Sequence, residues 1–118
     1  MRAIDCLELT RASSHYQLAI NEFVDMFRRE SADERARMVQ DPIDREGRLE
    51  GLIAAVVSAL CREVDMAAPP WVETIGSPEP FFAFPARSFA MRVRLMVESP
   101  PPFRTRNVFV PENYLARA

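Results

Sequence analysis

Apolar residues recur at helical spacing through the first half of the chain. The longest such run covers residues 48–64 and reads RLEGLIAAVVSALCREV. Its aliphatic residues recur every three or four positions, which is the period of one face of an α-helix. We therefore predict a central helix over about residues 45–65. Gly47 and Gly51 either weaken its first turns, at about 1 kcal/mol each relative to alanine, or let another backbone come close.

Two shorter helices are predicted before the central one. Ser14 and Gln17 fit a capping box at the start of a helix that runs to about Arg29. The apolar stripe of this helix consists of Tyr16, Ile20, Phe23, Val24 and Phe27. Ser31 and Glu34 fit a second capping box, which predicts a short helix after a tight corner.

Residues 1–12 are only weakly patterned. We expect them to form a flexible arm or a short extra turn. A chain of 118 residues is long enough to bury a core without disulfides or metals. Residues 1–118 are therefore predicted to form a single domain.

The composition changes after the central helix, between residues 67 and 86. This segment contains five prolines, and so many prolines argue against regular structure. It is too apolar for a free linker because it also contains Trp71, Ile75, Phe81, Phe82 and Phe84. We expect the segment to wrap over the helices in extended form and to be pinned there by Trp71 and the phenylalanines.

Residues 89–98 fit two patterns. Apolar and other residues alternate along Met91–Val97 as on a strand, whereas Phe89, Val93, Met96 and Val97 fit one face of a helix. We favour the helix because no second strand of matching quality is present, and a lone strand is not stable. The predicted fold is thus all-α, a small helical bundle with a helical C-terminal part.

The C-terminal residues carry signals of short turns. Ser99-Pro100 is typical of an N-cap and first helical position, and predicts a short turn through Arg106. Asn107 is expected to end that turn in a left-handed conformation. Residues 108–110 are predicted to be extended, and Pro111 opens a last turn.

Composition favours a reduced, cytoplasmic protein. Apolar residues make up 48% of the chain and charged residues 27%, which is the globular range. The formal charge is −2, and all 15 basic residues are arginine, as is typical of a GC-rich coding genome. Cys6 and Cys61 are expected to be reduced thiols. The N-terminus does not fit a signal peptide, and no apolar run approaches the ~20 residues that span a bilayer.

The sequence offers no catalytic, cofactor or metal motif. His15 is the single histidine and has no matching ligands nearby. The three glycines form no phosphate-binding loop, and the acidic residues fit helix starts and solvated faces. The methionines are expected to fill the core: Met26, Met38, Met66, Met91 and Met96. We therefore predict a protein that is not an enzyme and has no cofactor.

Charge is unevenly divided along the chain. Residues 1–66 contain 9 arginines and 13 acids, whereas residues 67–118 contain 6 arginines and 4 acids. Residues 87–106 contain five arginines and a single acid, Glu98. These arginines have three interpretations, which we rank in order: internal salt bridges to the acidic helices, a protein interface, and contacts to nucleic-acid phosphates.

The C-terminal half resembles a group of small actinobacterial-type proteins. The matching residues are Pro69, Pro70, Trp71, Val97, Glu98, Ser99, Pro100, Phe103, Arg104, Arg106, Asn107, Val108, Phe109 and Val110. Those proteins are described as antitoxin-like, or as the C-terminal module of helix-turn-helix regulators, and are found beside nucleotidyltransferase-like toxins. The resemblance implies a non-enzymatic module that binds a partner. Unlike those regulators, this chain has no room for a helix-turn-helix domain before Ser14, which puts DNA binding in doubt.

The predicted function is a non-enzymatic protein-binding module, with a toxin encoded nearby as the candidate partner. The alternative is a DNA-binding regulator that uses the arginine-rich C-terminal part. The candidate interaction residues are Trp71, Arg92, Arg94, Phe103, Arg104, Arg106, Asn107 and Phe109. A homodimer stays open, nucleic acid ranks below protein, and no membrane partner is expected.

Overall fold

Helices dominate the computed structural model, which describes residues 1–83 and 86–117. The helices are α1 (Ala3–Ala12), α2 (Tyr16–Arg29), α3 (Ala32–Val39), α4 (Arg48–Glu63), α5 (Phe89–Glu98) and α6 (Pro101–Arg104). A 3₁₀ turn covers Pro70–Glu73, and two short strands are β1 (Phe81–Phe82) and β2 (Val108–Phe109). The predicted all-α class is confirmed. Within the described residues, no helix is both long and apolar enough to span a bilayer.

The centre of the core is α4, as predicted. Its buried residues are Gly51, Leu52, Ile53, Ala54, Ala55, Val56, Val57, Leu60 and Cys61. The helix begins after Gly47, whose backbone is extended, and ends at Glu63. Asp65 then adopts a left-handed conformation with φ 57°, which turns the chain away from the helix axis. The sequence placed both ends a few residues too far out.

Gly51 lets a second backbone lie directly against α4. A Cβ atom at this position would be 2.7 Å from the amide nitrogen of Ser77 and 2.8 Å from the carbonyl carbon of Gly76. The Gly47 N–H donates to the Gly76 carbonyl at 3.2 Å. Of the two interpretations of these glycines, close approach is therefore the one that holds at Gly51.

The two predicted helices α2 and α3 form, but only one begins as expected. The Ser31 hydroxyl accepts a hydrogen bond from the Glu34 N–H at 3.3 Å, so the cap of α3 is confirmed. The capping box of Ser14 is wrong: His15 is the N-cap of α2 and no side chain caps it. The neighbouring Ser13 hydroxyl instead accepts from the His15 N–H at 3.0 Å.

Residues 3–12 form a packed helix, and their prediction as an arm is wrong. One face of α1 is buried: Ala3, Cys6, Leu7 and Thr10. The Thr10 hydroxyl donates to the Leu7 carbonyl at 2.7 Å, so it is buried without an unpaired polar group. An ion pair between Arg11 and Glu50 joins α1 to α4. The helical spacing is present in the sequence, but it is obscured because one member of the face is a threonine.

The proline-rich segment wraps over the helices, and a small parallel sheet holds its far end. Phe81 pairs with Val108 and Phe82 with Phe109 in two-residue strands. This pairing joins the segment to the C-terminal part and was not predicted. Near its start, Val72 is fully buried. Phe84, which was predicted as a pin, lies outside the described residues.

The C-terminal part follows most of its predicted turns. The helix over residues 89–98 is confirmed as α5, and Asn107 is left-handed with φ 62°. Ser99 is the C-cap of α5 and not the N-cap of the next turn, which is Pro100. The last turn returns to α2, where the Tyr114 hydroxyl donates to Gln17 Oε1 at 2.5 Å.

Candidate protein-interaction surface

Three of the candidate interaction residues belong to the framework: Phe103 and Phe109 are buried, and Trp71 is half-buried. The Trp71 indole N–H donates to the Val39 carbonyl at 2.8 Å, which fixes the 3₁₀ turn against the end of α3. The rings of Phe103 and Phe109 are 1% and 6% exposed. The two phenylalanine rings are closed to a partner, and the Trp71 ring is held by its hydrogen bond, so we assign none of the three to the surface.

Arg106 and Asn107 also hold the fold together. Arg106 donates to the Val72 carbonyl at 3.0 Å and to the Pro102 carbonyl at 2.7 Å. Partial burial lowers the pKa of its guanidinium from the ordinary value. The Asn107 amide donates to the Ser77 carbonyl at 3.2 Å. Both side chains therefore join the C-terminal part to the segment that follows α4.

The other three candidates, Arg92, Arg94 and Arg104, are exposed. Arg94 pairs with Glu98 one turn later, at 3.2 Å. The Arg92 guanidinium lies 5.8 Å from the centre of the Phe82 ring, at cation–π distance. Within residues 1–83 and 86–117, none of the three forms an ion pair with an acid of α1–α4. Internal salt bridging, which we ranked first, therefore does not account for these arginines in that part of the chain.

The outer face of α5 is an exposed apolar surface. Its large apolar side chains are exposed to 83% at Phe89, 41% at Val93, 44% at Met96 and 71% at Val97. At 3.6 residues per turn these positions share one face of the helix. We call these four residues the α5 ridge. Sequence reasoning found the stripe but gave it no role, and it expected Met96 and Met91 to fill the core; both are exposed.

The rest of the molecule holds α5 mainly by one buried side chain and by its C-terminal end. Leu95 is the one buried residue of this helix. The Ser88 hydroxyl caps the start by accepting from the Met91 N–H at 3.1 Å. At the other end, the buried Ser99 hydroxyl accepts from the Val110 N–H at 2.9 Å. These contacts fix the helix with its ridge facing outward.

A cleft of about 660 Å³ lies between the start of α2 and the last turn. Tyr114 and Arg117 are part of its wall, together with His15. Arg117 pairs with Asp25 at 3.0 Å, and this contact lowers the pKa of the Asp25 carboxyl. The cleft is open, and the arginine in its wall is already paired with Asp25.

The two cysteine thiols are buried and unreactive. Burial raises the pKa of Cys6 to about 12 and that of Cys61 to about 11. Since the thiolate is the nucleophile, both groups are unreactive at neutral pH. Within the described parts of the chain, no group of three or more His, Cys, Asp or Glu residues is arranged to hold a metal ion.

Comparison of the chain with models of protein families, with curated proteins and with solved structures found no match. The functional interpretation therefore depends on the chemistry of the surface. In the described residues, the α5 ridge and the arginines beside it are exposed and add nothing to the core.

Proposed function

We propose that this chain is a non-enzymatic, cytoplasmic protein-binding module of the antitoxin-like type, whose partner is a toxin encoded nearby. The α5 ridge is the observation that carries the proposal. Contiguous apolar surface on a folded domain is typical of interaction sites. The resemblance of residues 97–110 to antitoxin-like proteins supports the same function.

The position of the arginines favours a protein partner. Arginine is enriched at protein interfaces, where its long side chain covers apolar surface and its guanidinium pairs with carboxylates. Arg92 and Arg94 lie on the same helix as the ridge. A partner that covers the ridge would bring its own side chains against both arginines.

Co-expression with the protein encoded by the neighbouring gene tests the proposal. We expect the two chains to purify together and the growth defect caused by the neighbouring protein to be relieved. A control chain that lacks α5 is unsuitable, because removing the helix would also remove Leu95, which is buried. A full-length Val97→Glu variant is the better control, and it should lose both effects. If the wild-type chain forms no complex and relieves no toxicity, the proposal is wrong.

The second candidate function is that of a DNA-binding regulator. It is favoured by the exposed arginines of residues 87–106, which could contact phosphates. Binding by this route would weaken steeply with salt, and Arg92→Ala with Arg104→Ala would reduce that salt dependence. A mobility-shift titration at two salt concentrations measures this. Absent or salt-independent binding excludes the function.

A further inference from the structure

We propose that the α5 ridge docks an amphipathic helix of the partner protein, whose apolar stripe is bordered on both sides by acidic residues. This inference rests on the proposed function and specifies the chemistry of the partner. It is carried by two observations, the shape of the exposed apolar face and the sign of the charge along its borders.

The ridge has the dimensions of a helix-packing surface. Phe89, Val93, Met96 and Val97 occupy positions i, i+4, i+7 and i+8, which form a straight stripe on one helix face. The stripe extends about 12 Å along the axis at 1.5 Å per residue. A second helix of a few turns covers such a stripe when it places its own apolar residues between these side chains.

Both borders of the ridge are basic. At 100° per residue, Arg92 lies on one side of the stripe and Arg94 on the other. The side chain of Arg94 is 80% exposed, although it pairs with Glu98. Exposed arginines also precede and follow the helix, at Arg87 and Arg104. Charge complementarity therefore selects a partner with carboxylates along both edges of its apolar stripe.

Two copies of this chain fit poorly when they meet ridge against ridge. Two α5 helices packed on their ridges would bring basic border against basic border, whether they ran parallel or antiparallel. Like charges placed opposite each other across an interface cost free energy and reject that pairing. Glu98 cannot compensate for this because it is the single acid of α5 and already pairs with Arg94.

Nucleic acid and membrane also fit less well. Phosphates would satisfy the arginines but would leave Phe89 and Val97 in water. An anionic lipid surface would accept both the arginines and the apolar ridge. The chain as a whole, however, has a formal charge of −2, with the acidic excess in residues 1–66. This excess opposes close approach to an anionic surface.

The experiment uses the complex with the neighbouring-gene product and exposed positions that leave the core intact. Val93→Glu and Val97→Glu place a carboxylate on the ridge. The controls are Leu9→Glu on α1 and Leu18→Glu on α2, because their exposures of 46% and 69% match those of the ridge valines at 41% and 71%. Thermal melts of all four variants should match the wild type. Arg92→Glu and Arg94→Glu reverse the charge of the borders.

We expect calorimetric titration to show a loss of affinity of ~100-fold for each ridge variant and ~10-fold for each arginine reversal. The two control variants should remain within ~2-fold of the wild type. Replacing an acidic residue on the partner by arginine should restore binding to the reversed chain, which would identify the facing border.

Other results would overturn the docking. If the wild-type chain forms the complex and both ridge variants bind the partner with undiminished affinity, the docking alone is wrong. If no complex forms, the proposed function is wrong as well. Tighter binding by the arginine reversals would show that the partner's borders are basic. Self-association of the wild-type chain that Val97→Glu abolishes would assign the ridge to a homodimer. Val97-dependent binding to phosphatidylglycerol vesicles, or to duplex DNA, would assign it to those partners.

Discussion

A missing side chain at Gly51 determines how closely the segment after α4 can return to the core. The backbone of Gly76 and Ser77 lies where a Cβ atom would be, at 2.8 and 2.7 Å. Backbone atoms cannot rotate away as a flexible side chain can. The position of the whole returning segment, and of the sheet that follows it, therefore depends on this glycine.

We predict that Gly51→Ala destabilises the protein by about 1–3 kcal/mol, although alanine is the better helix former by about 1 kcal/mol. Urea unfolding measures the change. Gly47→Ala is the control: the atoms nearest to its Cβ would be those of the Glu50 side chain, which can shift at the cost of weakening its ion pair with Arg11, whereas a backbone cannot shift in this way. The explanation is wrong if the Gly51 variant is as stable as the Gly47 variant.

Trp71 is predicted to stabilise the fold and to have no role at the interface. Trp71→Ala should lower the free energy of unfolding by about 3 kcal/mol, because it removes both the ring and the hydrogen bond to the Val39 carbonyl. Trp71→Phe should cost only about 1 kcal/mol. Chemical denaturation separates the two variants. A Trp71→Ala chain that unfolds like the wild type but binds the partner weakly would show that the ring belongs to the surface instead.

At the scale of elements, apolar periodicity predicted the helices with long apolar stripes but missed α1, whose stripe is weak; α3 was predicted from its cap instead. The stripes of α2 and α4 are dominated by aromatic and aliphatic residues, and both helices were predicted. The face of α1 mixes Thr10 and Cys6 with smaller residues, so its pattern was too weak. The pairing of β1 with β2 joins residues far apart in the chain, and two-residue strands carry no pattern from which a register can be inferred.

The orientation of α5 could not be predicted for a different reason. An apolar stripe that faces a core and one that faces a partner have the same spacing in the sequence. Only the positions of Leu95 and Ser99 in the folded chain show which face is turned inward. The candidate residues Phe103 and Phe109 were predicted from the resemblance of the C-terminal half, which does not show burial, and both are buried.

The attachment of α5 should depend on the Ser99 hydroxyl. This buried group accepts from the Val110 N–H and lies 2.5 Å from the Leu95 carbonyl. We predict that Ser99→Ala costs about 1–3 kcal/mol, because it leaves a buried N–H unpaired. The control is Thr105→Ala, whose exposed hydroxyl donates to the Pro101 carbonyl at 2.8 Å and should matter little. Equal melting temperatures for the two variants would contradict this role.

At the scale of the whole molecule, two ion pairs join helices of the scaffold, whereas the arginines around α5 are directed outward. Arg11 pairs with Glu50 and Arg28 with Glu63, which joins α1 and α2 to α4. The arginines beside the ridge make no such contact with the scaffold within the described residues. This division separates a framework built around α4 from the surface that we propose binds a partner.

The most direct test of that surface is hydrogen–deuterium exchange, with the chain free and bound to the neighbouring-gene product. In the free chain the amides of α5 should exchange quickly, because a short helix held by one buried side chain opens at low free energy. In the complex we expect those amides to slow by ~10-fold or more, while the exchange of α4 stays the same. Unchanged exchange across residues 89–98 in a fully formed complex, with new protection on α1–α3, would contradict the account.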